Sequence, residues 1–193
     1  MSETTPTLEL LKSGVSITDI EAVVIKTASK HYMIKTGTEA AMKARVDAGQ
    51  KKVLRKRNTL LAQNNTADLI MGYDIELTDL LTHYEVVALL EGGAVIKDES
   101  GKATGYSGPV AGEEVILTPF TLEVYCANRG ANNRVLDYRK FVYDNCTGKS
   151  PVEWSVKDGE FLTPKYVIES CPDPGEAPMS VETVTALPTP PTE

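Results

Sequence analysis

Apolar positions along this chain recur mostly at a spacing of two. Residues 15–27, VSITDIEAVVIKT, are dense in Val and Ile and predict a strand. Tyr32 to Thr36 predicts a second, short one. Across 67–77, ADLIMGYDIEL, the alternation is close. Asp68, Ile70, Gly72, Asp74 and Glu76 fall on one face, and Leu69, Met71, Tyr73, Ile75 and Leu77 on the other. This predicts a half-buried strand whose second face is acidic. Further strands are predicted at 51–61, 94–97, 115–126, 135–143, 152–156 and 165–171, with Asn64-Asn65 as a turn.

The period changes once. Tyr84, Val87, Ala88 and Glu91 recur at helical spacing and predict a helix at about 82–91. Thr82 and Glu85 fit a capping box, Leu81 and Val86 a hydrophobic staple, and Gly92-Gly93 the C-terminal stop. The segment 37–50 has small residues and no clean period, and reads as a loop excursion. Residues 98–113 read as a Gly-rich surface loop, and from Pro172 the periodicity fades into an extended, Pro-rich end. The expected fold is mainly β: a β-sandwich or partly open barrel with one flanking helix and long loops or arms. The expected organisation is an N-terminal arm (1–14), one β domain (15–171) and a C-terminal arm (172–193).

Composition narrows the chemistry. A chain of 193 residues is long enough for one domain with a sizeable core. Its start, MSETTPTLELL, lacks the basic region of a secretory signal, and its longest apolar run, Val86–Leu90, is too short to span a bilayer. The expectation is a soluble protein made in a cytoplasm. Cys126, Cys146 and Cys171 show no CxxC spacing and read as buried free thiols. His83-Tyr84-Glu85 has the H-x-E of zinc deaminases without the P-C-x-x-C pair they need. Gly101–Gly105 lacks phosphate-loop spacing. With two His and no nucleophile motif, the chain is read as non-enzymatic, with no catalytic residue, metal or cofactor expected.

Charge is unevenly spread. Net charge is −7, yet Lys43–Arg57 holds seven cations against Asp47 alone. Within it, KKVLRKR supplies Lys51, Lys52, Arg55, Lys56 and Arg57. No aromatic residue is interleaved with these cations, which single-strand nucleic-acid binding would favour. A solvated edge strand and an intermolecular salt-bridge strip are the two better readings. A basic segment on an acidic body also suits head-to-tail association of identical copies.

A collinear series of less generic segments adds a resemblance. It runs Arg57–Ala62, Ile70–Ile75, Glu85–Gly93, Phe120–Tyr125, Tyr143–Gly148, Lys157–Phe161, Pro164–Tyr166, Pro178-Met179 and Ala186–Pro188. In this order and spacing the set resembles the major tail tube proteins of long-tailed bacteriophages over roughly residues 15–188. The resemblance implies a β-sandwich or barrel subunit that forms six-membered rings. These stack into a hollow virion tail tube through which DNA is ejected. It implies no catalytic residue. It implies partners that are copies of the chain itself, together with tape-measure, tail terminator and baseplate or tip proteins. Double-stranded DNA is met only in transit, and no membrane is involved. On this reading Lys51, Lys52, Arg55, Lys56 and Arg57 bridge subunits or rings. Asp68, Asp74 and Glu76 line a channel that repels phosphate. The alternatives are another ring-forming tail component, such as a terminator or the inner tube of a contractile device, and a nucleic-acid-binding module using 51–57.

Overall fold

The computed structural model describes residues 14–154 and 156–190. Its elements are β1 (Ile17–Lys26), β2 (His31–Ile34), β3 (Gly37–Asp47), β4 (Lys51–Lys56), β5 (Thr59–Asn65), β6 (Leu69–Asp79), α1 (Tyr84–Glu91), β7 (Ala94–Lys97), β8 (Ala103–Ser107), β9 (Phe120–Arg129), β10 (Val135–Gly148), β11 (Lys165–Ser170) and β12 (Ser180–Val184). Eight strands form one sheet in the order β2-β1-β9-β10-β11-β6-β3, with β12 added to β10. β4–β5 and β7–β8 are separate two-stranded ribbons. Among the described residues the fold is therefore mainly β with one helix, as the alternation predicts.

The sheet coils until β1 and β3 approach each other without pairing. Its inner face carries Val23, Ile25, Ile75, Leu77, Leu122, Val124 and Ile168, and α1 adds Val86, Val87 and Leu90 to the same core. Tyr143 sits at the centre, fully buried. Its hydroxyl lies 2.8 Å from Met42 Sδ and 3.2 Å from Met179 Sδ, and Tyr73 meets its ring edge-on at 5.4 Å. Strand β10 organises the rest. One edge pairs with β9; the other is shared, by β12 over Tyr138–Val142 and by β11 over Cys146–Gly148. The register breaks at Asp144-Asn145, where Asn145 has φ 49°. Asn145 Nδ2 donates to the carbonyl of Cys171 at 2.6 Å, and the Cys171 N–H donates back at 3.0 Å, so the chain leaving β11 is tied to this bulge.

Several boundaries differ from the sequence reading. The 37–50 excursion is instead strand β3 for most of its length, paired with β6. Lys51–Leu61 is not one strand: the chain reverses at Arg57-Asn58, where Arg57 has φ 53°, and Asn64-Asn65 lies inside β5. Residues 98–113 contain β8. The strand expected from Val115 begins only at Phe120. Val152–Trp154 and Val156 are not in a strand, and Ser155 lies outside the described residues. The C-terminal segment includes β12, and the Pro-rich end is described only to Pro190. Residues 1–13 of the N-terminal arm lie outside the described residues.

The helix starts differently too. Its N-cap is His83, without a side-chain cap, and Leu81 is exposed, so neither the Thr82 capping box nor the Leu81 staple forms. The carboxylate of buried Asp79 takes the entry instead. Its Oδ1 accepts from the Leu80 N–H at 2.7 Å and the Leu81 N–H at 3.4 Å. Gly92 ends the helix with φ 78°, as the Gly-Gly pair predicts.

Candidate functional site

The basic run lies on an arm. β3 pairs with β6 from Gly37↔Asp79 to Asp47↔Leu69, and β4 with β5 from Lys51↔Asn65 to Lys56↔Thr59. The two pairings share one register, so Gly37–Asp79 is a single long hairpin interrupted at 48–50 and 66–68. Gln50 and Thr66 keep it continuous: the Thr66 N–H donates to the Gln50 carbonyl at 3.0 Å, and the Gln50 N–H to Thr66 Oγ1 at 2.7 Å. From Asp47 to the turn the arm runs ~30 Å at strand rise. Every residue from Lys51 to Asn65 is exposed.

Lys51, Lys52, Arg55, Lys56 and Arg57 all lie on this arm and make no ion pair among the described residues. They share it with exposed Val53, Leu54, Leu60 and Leu61. Val53, Arg55, Arg57 and Leu60 line one shallow concavity. The arm is therefore both cationic and apolar, with no acid between Lys51 and Asn65.

The three carboxylates expected to share one strand face do not do so. A bulge in β6 sets Val46 opposite Ile70 but Arg45 opposite Gly72, which inserts one residue and reverses the parity. Asp74 and Glu76 stay together on the outer face. Asp68 falls out of line with them, and its Oδ1 accepts the Gly49 N–H at 2.9 Å at the break in the ribbon. The outer face is also not simply acidic. Asp74 sits opposite Lys43 and Glu169, 2.5 Å from Lys149 Nζ and 3.6 Å from Arg45 Nε. Glu76 pairs with Lys165, and Arg45 also bonds Glu169 at 2.8 Å. With Glu39, this face carries four acids and four bases interleaved across β3, β6, β11 and Lys149.

The outer face over β1, β9 and β10 is covered by the C-terminal segment. Ala22, Val24 and Tyr125 pack there against Met33, Val184 and Leu187. Among them Glu123 is a carboxylate only 4% exposed. Lys26 Nζ lies 2.6 Å from it, the Tyr125 hydroxyl donates at 2.8 Å, and Lys140 Nζ stands 3.9 Å away. Burial alone would raise its pKa, but the bonds from Lys26 and Tyr125 and the two lysine charges outweigh that and hold it below its ordinary value. Lys140 also reaches Glu182 on β12 at 2.5 Å, clasping the last strand to the network.

The two ends of the sheet differ. By register, Asp79, Lys165, Gly148, Phe120 and Lys26 lie at the end away from the arm. Segments 80–119 and 149–164 therefore both begin and finish there. They carry exposed Leu80, Leu81, Val110, Ile116, Trp154 and Phe161, with Ile116 86% and Phe161 97% exposed. Among the described residues, all the exposed large hydrophobic side chains except Val181 lie on the arm, at the arm end or at this opposite end.

Comparison with protein-family models finds no match. Comparison with curated proteins finds none either. Sequence reasoning located the cations but missed the arm that carries them and the opposite loop cluster. The turn at Arg57-Asn58 was hidden because every residue from Lys51 to Asn65 is exposed, so no alternation of burial marks the two strands of the arm.

Proposed function

We propose that the chain is a structural subunit of a long-tailed bacteriophage tail tube, assembling into stacked rings around a DNA channel. Alongside the sequence resemblance, the observation that carries this reading is the segregation of exposed apolar side chains to two opposite ends of one sheet. A monomer gains nothing from such exposure; exposed apolar patches mark interaction surfaces. Because the two ends are chemically different, copies joining through them associate head to tail and grow without closing. One end is a cationic arm, and the connections at the other are acidic, with six acids against two bases between Leu80 and Pro119. The interleaved charges around Asp74 and Glu76 give a hydrated face with no excess of cations, which suits a surface that DNA passes without being held.

Negative-stain microscopy of the purified chain at high concentration tests the reading. Rings or tubes are expected. A chain that stays monomeric at all concentrations and binds nucleic acid tightly and salt-sensitively would replace this reading with that of a nucleic-acid-binding module.

A further inference from the structure

The helix C-terminus opens onto a cleft of about 270 Å³, lined by Gly92–Ala94, Gly108–Val110 and Glu113–Ile116. Two glycines let its wall close in. A β-carbon on Gly92 would stand 2.4 Å from Val115 Cγ1, and one on Gly93 would stand 2.2 Å from the Ser107 carbonyl oxygen. Any larger residue would push the 107–116 segment away. A second cleft of about 300 Å³ shares Pro109 and Val115 and extends the apolar lining through Leu90, Leu117 and Pro151. The two clefts meet at Pro109 and Val115 in one largely aliphatic trough with Glu113 and Glu114 exposed on its rim. Glu91 and Lys149 also line the second cleft, but Glu91 accepts from the Tyr106 hydroxyl and the Val152 N–H, and Lys149 is held by Asp74. Neither glutamate has an ion pair among the described residues, and no cation lies between Ser107 and Pro119.

We infer that this trough is the seat for the β4–β5 arm of a second copy of the chain. The inference rests on the head-to-tail reading above and names its two mating parts. The arm offers aliphatic side chains, Val53, Leu54, Leu60 and Leu61, interleaved with Arg55, Lys56 and Arg57. The trough offers an aliphatic floor under a carboxylate rim. Both lie on connections that leave opposite ends of the sheet, so one copy's arm points toward the next copy's trough in a stack. The other exposed loop at that end, 149–164, is less suited. There Lys157 lies 3.6 Å from Glu160, and its acids Glu153, Asp158 and Glu160 are offset by Lys149 and Lys157.

Charge reversal tests the pairing. The wild-type chain is compared with E113K/E114K, with R55E/K56E/R57E, and with a chain carrying both sets. Tube number and length are read by negative stain, and monomer folding by circular dichroism. Each single set should lower tube yield by about tenfold or more, because like charges then face each other across the seat. The combined chain restores opposite charges and should recover most of the yield. Tubes that grow normally with either single set, or a combined chain no better than the single sets, overturn this inference while leaving the tail-tube reading in place. A wild-type chain that forms no rings or tubes overturns both.

Discussion

A β-carbon on Gly49 would stand 1.9 Å from the carbonyl oxygen of Thr66. The two strands of the long hairpin therefore approach, at its break, more closely than any side chain at position 49 allows. Opposite them Asp68 accepts the Gly49 N–H, so the same site fixes the direction in which the arm leaves the sheet.

Gly49→Val should misdirect the arm and leave the body folded. The arm contributes nothing to the core cluster, so the midpoint of thermal unfolding should move little. Tube formation should fall sharply, and the arm should become cleavable by trypsin at Lys51–Arg57. A large drop in melting temperature together with intact assembly would contradict this.

Much of the fold was legible because β1, β9 and β11 are rich in Val, Ile and aromatic residues, and because Gly92 has one use at a helix end. Strand β3 was not legible, for a physical reason. Its inward residues are Ala40, Met42 and Ala44, and its outward ones include Ala41, so alanines on both faces erase the alternation. Strand β12 has β-branched Val181, Thr183 and Val184, but it is five residues long and bordered by Pro-containing segments, and what holds it, the pairing with β10 and the Lys140–Glu182 contact, is not local in sequence. The acidic face was legible only in part, since a bulge is invisible to a count of alternating positions and the compensating lysines come from other strands.

The thiols should separate by burial. Cys146 is fully buried and its thiol is pushed up to about 12, chiefly by desolvation; burial also raises that of Cys126. Cys171 is not buried as the sequence reading expects: the chain leaving β11 exposes it, with its sulfur 2.9 Å from Arg45 Nη2. A disulfide reagent at pH 8 should therefore titrate one thiol quickly in the native protein and three after denaturation. Cys171→Ser should abolish the fast phase.

The Tyr143 hydroxyl should matter less than its ring. Tyr143→Phe loses only contacts to the Met42 and Met179 thioethers and should cost about 1 kcal/mol. Tyr143→Ala empties the centre of the core and should cost ~3–5 kcal/mol. Urea unfolding of the two variants gives the ratio, and comparable costs would show that the hydroxyl, not the packing, anchors this position.

Acid should loosen the C-terminal clasp. Glu123 has a folded pKa below its ordinary value of 4.5, so it contributes stability above about pH 4.5, and that contribution is lost as pH falls through the folded value. Glu123→Gln should lower stability at pH 7, because Lys26 and Lys140 lose their shared partner, and should flatten the acid limb of the stability profile. Denaturation midpoints of both chains between pH 7 and pH 3 check this. Parallel profiles would mean that other carboxylates set the acid response.

Asp74 and Glu76 share a face but should respond differently to reversal. Glu76 is half-exposed beside Lys165, and pairs of that kind contribute about 0–1 kcal/mol. Asp74 is more enclosed, near Arg45 and Lys149 and across from Lys43. Asp74→Lys would place a fourth cation among these three and should destabilise the monomer measurably, whereas Glu76→Lys should fold and assemble almost normally. The comparison matters because the proposed function gives the face a role in transit. Only a variant that still forms tubes can report on DNA passage, so the informative chain is Glu39→Lys with Glu76→Lys, leaving Asp74 untouched. That pair turns four acids and four bases into two and six. If the face lines the channel, phage carrying it should assemble normal-length tails yet deliver DNA slowly, with the defect relieved as salt rises, since counterions then compete for the new cations. Delivery at the wild-type rate from normal tails would place this face away from the DNA path.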